Sequence, residues 1–266
     1  MKTCWHIFTV GLQNTLVYRV NFLIRALFNL VPLMAIVAMW QAIYAGKPGT
    51  VSGYSLAQMI SYYLLVTIVE TMTAVTEDDW QIAAEIKDGQ ISQFLTRPLD
   101  YLHYRLCLFF SGRVVYTLAA AAPVALFVFW HREHLPPPPE AGVMACFLVS
   151  LVLSALLQFL LSYLIAMLAF WVLEISSFVF ILLAFERLVS GQMFPLDILP
   201  TWLAQAVMWT PFPYGIFFPV SVYTGNISGG ALIQGLAMQG FWVATIYALA
   251  RLAWGRGLKT YTVVGG

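Results

Sequence analysis

The chain has 266 residues, 61% of them hydrophobic and only 9% charged, against about 25% charged in an average soluble protein. That balance excludes an ordinary water-soluble domain and places the chain among integral membrane proteins. A net charge of +1 leaves no basic field to hold nucleic acid, and Cys4, Cys107 and Cys146 lack paired spacing and read as small packing residues.

Residues 1–20 place Trp5, Phe8, Leu12 and Leu16 on one helical face, with Lys2, Gln13 and Arg19 elsewhere, so a helix lying in the membrane interface is expected. Those polar residues and the missing small-residue cleavage site argue against a secretory signal. A first span follows at Phe22–Tyr44, with Pro32 near its middle, and a second at Tyr54–Thr76 after a Gly/Pro turn.

A polar island, Glu77–Arg105, interrupts the apolar runs and must sit in water or at the headgroups. Its interior reads as two short helices. Asp78 and Asp79 suit the N-terminal end of the first, Ile82 and Ile86 share one face, and Gly89 stops it. Ile91, Phe94 and Leu95 fall at i, i+3 and i+4 in the second. Pro98 turns Arg97 away from the helix, and Asp100 can cap the next one. A solvated loop with an interfacial apolar face fits this pattern equally well.

The third span runs from about Tyr101 to Trp130, and Pro136–Pro139 stiffen the connector His131–Glu140. Ala141–Leu173 is longer than the roughly 20 residues needed to cross, so a tilted or overlong fourth span is expected. Glu174 marks a turn, and Ile175–Val189 is a shorter fifth span. Gly191–Gly225 is apolar but broken by Pro195, Pro200, Pro211, Pro213 and Pro219. Such a segment stays at the surface or dips in only where protein covers it. Leu199–Trp209 can form a short helix in it, with Trp202 and Trp209 as interface anchors. Ala231–Trp254 is the sixth span.

Six spans put both termini on one side. That side collects Lys2, Arg19, Arg25, Lys87, Arg97, Arg105, Arg251, Arg256 and Lys259, whereas the other holds Lys47, Arg132 and Arg187. The imbalance predicts cytoplasmic termini and a cytoplasmic polar island.

The chain contains no phosphate-binding loop of the Gly-x-x-x-x-Gly-Lys-Ser/Thr type, so ATP-driven work needs a separate subunit. His131 and His134 have the wrong spacing for a metalloprotease, and a solvated loop explains them better than a metal site. Charges within the spans cost about 2.5–3.5 kcal/mol each at a helix centre, which makes them functional candidates. Glu70 and Glu186 lead, because a short carboxylate snorkels poorly, while Arg113 and Arg187 can reach the interface. Carboxylates lining a path would favour a cationic substrate.

The run Glu85-x-x-x-Gly89-Gln90-Ile91-x-x-Phe94-Leu95-x-x-Pro98-Leu99 resembles the segment between the second and third spans of ABC-2-type transporter permeases, with Gln90 where Thr is usual. The spelling is most similar to the six-helix branch of uncharacterised ABC-2 permeases. Gly191-x-x-x-Pro195-Leu196, Pro200-x-Trp202-Leu203 and Pro211-Phe212 are similar to the region that re-enters from the outer side in that family.

The resemblance implies an all-α fold of six transmembrane helices with an interfacial N-terminal helix (1–20), a docking segment (77–100) and a re-entrant hairpin (191–225). It implies an exporter subunit of the inner cell membrane that moves an unidentified, amphiphilic or cationic substrate outward. No catalytic residue, metal or cofactor is expected on this chain, since ATP and Mg would sit on a partner ATPase. A second permease, identical or a sibling, and the lipid bilayer are the other implied partners. Ile82, Glu85, Ile86, Lys87, Asp88, Gly89, Ile91, Phe94, Leu95, Pro98 and Leu99 would dock onto the ATPase. A membrane-embedded enzyme, using His103, Glu70 or a serine, and a carrier driven by an ion gradient are the alternatives.

Overall fold

A computed structural model describes residues 2–17, 19–46, 49–51, 53–75, 78–96, 98–172 and 174–261, and the side chains of 2–4, 19, 78 and 79 are not part of that description. Of the residues singled out above, Lys47, Glu77 and Arg97 therefore lie outside the described residues, as do the side chains of Lys2, Cys4, Arg19, Asp78 and Asp79.

The helices in chain order are α1 (Lys2–Leu16), α2 (Arg19–Ala45), α3 (Leu56–Thr73), α4 (Asp78–Lys87), α5 (Ser92–Leu95), α6 (Tyr101–Trp130), α7 (Ala141–Ala166), α8 (Ser176–Val189), α9 (Thr201–Met208), α10 (Phe217–Tyr223) and α11 (Gly229–Thr260). Among the described residues the only extended pairing is an isolated bridge between Val51 and Tyr54. Among the described residues, five helices are long and apolar enough to cross a membrane: Val20–Ala45, Leu56–Thr73, Tyr101–Trp130, Ala141–Phe170 and Gly229–Thr260. The fold is thus a helical membrane protein, as composition and periodicity indicate.

The expected fifth span needs adjustment. α8 has 14 residues, about 21 Å at 1.5 Å per residue, which falls short of a hydrocarbon core of about 30 Å. The fourth span changes character near its end: α7 ends at Ala166 and tightens into a 3₁₀ turn over Met167–Phe170.

Local signals explain the element ends. Ser55 and Gln58 form a reciprocal capping box at the start of α3, with hydrogen bonds of 3.3 and 2.9 Å. Asp100 caps α6 by accepting from the His103 amide at 3.1 Å. Gly89 follows α4 with φ +75°, a left-handed conformation that only glycine adopts without strain.

The later part of the proline-rich stretch, residues 213–222, is buried by protein, whereas Trp202 and Trp209 are exposed. Residues Phe217–Val222 of α10 are covered by α3 and α7, and the preceding turn Phe212–Gly215 also packs on α7. Apolar burial offers little drive inside a bilayer, so packing and interhelical hydrogen bonds fix this arrangement. Gln239 of α11 is fully buried, and its Nε2 lies 2.8 Å from the Tyr214 carbonyl and 3.1 Å from Ser154 Oγ. Ser154 also donates to the Tyr214 carbonyl at 2.9 Å. Gln158 of α7 donates to Thr73 Oγ1 at 3.1 Å and to the Gly215 carbonyl at 3.3 Å. The Gly215 carbonyl, which Pro219 four residues on cannot serve, and the Tyr214 carbonyl are thereby satisfied.

Candidate functional site

Two regions gather the residues singled out in the sequence: a polar cavity among the helices, and the α4–α5 segment at one end of the bundle.

The cavity has a volume of about 240 Å³ and is lined by Glu70, Trp80, Gln158, Glu186, Arg187 and Gln192, with apolar groups such as Leu161 and Ile216 between them. Glu70 comes from the last turn of α3 and Glu186 from the last turn of α8. The structure brings together the two carboxylates that the sequence offers separately. Both are partly buried, and the positive charge of Arg187 acts on each of them. Two carboxyls and one guanidinium thus meet in this lining. Sequence reading passes over Gln158, Gln192 and Trp80. Gln158 and Gln192 carry a usable signal, because each is a carboxamide set in an otherwise apolar stretch.

The wall of this cavity is held by tyrosines of α3. Tyr62 donates to the Gly191 carbonyl, and Tyr63 donates to the Met193 carbonyl at 2.6 Å. The Tyr54 hydroxyl, just ahead of α3, donates to Asp197 at 2.6 Å. Burial, the bond to Asp197 and its charge all push the Tyr54 phenol well above its usual range, so it stays a donor. Gly191 has φ +86°, and a Cβ there would stand 2.7 Å from the Tyr62 hydroxyl and 2.8 Å from Phe217 Cβ. No other residue fits that close approach.

In the α4–α5 segment, Ile82, Ile86 and Ile91 are 0%, 3% and 0% exposed. The resemblance puts them on a docking face, but the structure turns them into the chain's own core, where α4 packs on α7 and its terminal turn. Phe94 is half inward, with its ring 5.2 Å from Tyr101 and 4.8 Å from Tyr104. The outward face consists of Lys87, Asp88, Gln90, Leu95 and Pro98, with Leu95 at 52% exposure. Gly89 and Leu99 lie between these extremes.

Polar bonds tie this segment to two helices, α6 and α11. Glu85 accepts from the Tyr101 hydroxyl at 2.5 Å and lies 3.4 Å from the buried Arg105 guanidinium. Asp100 pairs with Arg251 of α11. Burial works to raise the Asp100 carboxyl, but the bonds from Arg251 and His103 outweigh it and hold the group below the usual carboxylate range. The Tyr101 ring stacks on Trp254 of α11, with centroids 4.8 Å apart and planes 8° from parallel. The start of α6 and the ends of α7 and α11 therefore meet at this one segment.

The remaining sequence candidates fall elsewhere. Arg113 is 5% exposed, with its guanidinium 4.6 Å from the Tyr116 ring centroid. His131 Nδ1 is 3.1 Å from the Phe127 carbonyl, and no group of three metal-ligating side chains forms among the described residues. Cys107 and Cys146 are partly buried thiols.

A family model described as ABC-2 family transporter protein matches residues 30–265. No curated protein matches the chain.

Proposed function

The chain belongs to the ABC-2 family of transporter proteins, and from that premise we propose that it is the membrane-spanning subunit of an ATP-driven exporter. ATP and Mg are held by a separate ATPase subunit, and two permease copies, or this chain and a sibling, enclose the path. The termini and α4–α5 face the cytoplasm of an inner-membrane protein. α8 together with the Gly191–Leu196 stretch completes a sixth crossing, and Pro200–Tyr223 re-enters from the outer side.

The observation that carries this reading is the position of α4–α5. Its inward isoleucines and Glu85 fasten it to the spans, while Lys87, Asp88, Leu95 and Pro98 remain outside to meet a partner. A push on that face reaches α6 through Glu85 and Phe94, α7 through Ile82 and Ile86, and α11 through Asp100. The substrate, amphiphilic or cationic, passes the Glu70–Glu186 cavity, where its charge is met by carboxylates.

Purification of the tagged full-length chain from its native membranes tests this function. The preparation should hydrolyse ATP, hydrolysis should rise with substrate, and a phosphate-loop lysine substitution in the co-purifying ATPase should abolish both hydrolysis and transport. Transport that persists with a dead ATPase would favour an ion-gradient carrier instead.

A further inference from the structure

A second, larger cavity of about 830 Å³ lies between α1, α2 and the first turns of α6, with Gln81 of α4 at its edge. This volume is within the range of about 300–1,000 Å³ typical of ligand sites. Its polar lining is unlike that of the Glu70–Glu186 cavity. Arg25 and Arg113 both reach it, with the carboxamides of Asn14, Asn21 and Gln81, and among its described lining residues none is acidic. Neither guanidinium is idle, since Arg113 also lies over Tyr116 and Arg25 makes a contact of its own.

The lining mixes two chemistries. Two guanidiniums and three carboxamides supply N–H donors, the set that matches a phosphate. Apolar groups such as Phe22, Leu108 and Phe109 line the rest. The level is also telling. The cavity sits about one to two turns into α2 and two to three turns into α6, at the end of the bundle that carries α4.

We infer that this cavity binds an anionic phosphate group, supplied by the headgroup of an acidic phospholipid in the leaflet on the α4 side. α1 is the wall that closes the site, packing along α6 with Asn14 toward the cavity. A lipid seated there would brace α1 against the spans, and the inference holds whichever substrate the protein carries.

Native mass spectrometry of the full-length chain in detergent, exchanged with equal amounts of phosphatidylglycerol and phosphatidylcholine, reads the site directly. Wild type should retain phosphatidylglycerol over phosphatidylcholine, and Arg113→Gln should reduce that preference by about tenfold, as loss of a charge-assisted hydrogen bond implies. Arg25→Gln, at a partly buried position, should do the same if Arg113→Gln does not fold, while Arg25→Lys keeps most of the preference. Retention of phosphatidylglycerol in a millimolar excess of inorganic phosphate supports the lipid headgroup as the source. Its displacement by inorganic phosphate supports the anion site with a soluble phosphate as occupant. An unchanged lipid preference in folded Arg25→Gln would overturn the inference.

Discussion

The Tyr101 hydroxyl donates to the Glu85 carboxylate at 2.5 Å, so the first residue of α6 holds the middle of the proposed docking segment. Tyr101 also stacks on Trp254, which makes one side chain the junction of α4, α6 and α11. Removing its hydroxyl leaves this stack intact but removes the hydrogen bond to Glu85. Tyr101→Phe should therefore assemble normally, lose about 1–2 kcal/mol of stability, and hydrolyse ATP with weaker coupling to transport. Transport per ATP hydrolysed, measured in reconstituted complexes, checks the expectation. An unchanged ratio would leave Tyr101 a purely structural residue.

Glu70 and Glu186 line one cavity, so their effects should not add. Glu70→Gln and Glu186→Gln should each assemble and each shift preference away from cationic substrates. The double variant should differ from the sum of the singles, because residues that share a cavity couple. Wild-type transport and preference in both singles would mean that the carboxylates serve structure alone.

Gln239 should be costly to replace. Gln239→Leu keeps similar bulk and leaves the Tyr214 carbonyl with one partner fewer. The carbonyl keeps its bond from Ser154, so the loss is that of one net hydrogen bond, about 0.5–1.5 kcal/mol. The midpoint of thermal unfolding should fall, and residues 211–223 should exchange amide hydrogens faster than in wild type. Slow exchange there in the variant would show that packing alone holds the segment.

Asp100 gives a pH signature. Its carboxyl is held below the ordinary range by Arg251 and His103 despite burial. A depressed pKa stabilises the fold above the unfolded value of about 3.9 and loses that contribution as pH falls through the folded value. Asp100→Asn keeps a good helix cap but removes the charge. Wild type should be more stable than Asp100→Asn near neutrality, and the gap should close as pH drops below about 4. A gap that stays constant with pH would assign the effect to something other than the ion pair.

Much of the fold is legible in the sequence, because the bilayer demands long apolar runs and caps are local. The start of α6 at Asp100 and the stop of α4 at Gly89 follow from single residues whose chemistry acts on their own turn. What faces what is a different matter. Periodicity puts Ile82 and Ile86 on one side of α4, but only packing on α7 decides that this side points inward. The shared cavity of Glu70 and Glu186 depends on where the short α8 ends against α3, a tertiary relation that neither segment encodes alone. Gln158 and Gln239 are readable as polar groups in apolar helices, although their partners, carbonyls of a proline-broken turn, are not.

The account rests most heavily on the outward face of α4–α5, and Leu95 is its most exposed apolar side chain. Truncating or charging an apolar anchor at an interface centre typically costs about 2 kcal/mol or more, whereas rim charges contribute far less. Co-purification of the ATPase with permease variants present in equal amounts is therefore the most direct measurement. Leu95→Asp should release the ATPase or uncouple hydrolysis from transport, Lys87→Ala should retain both, and all variants should insert normally because the spans are untouched. Full retention of a coupled ATPase by Leu95→Asp would contradict the docking role of this face.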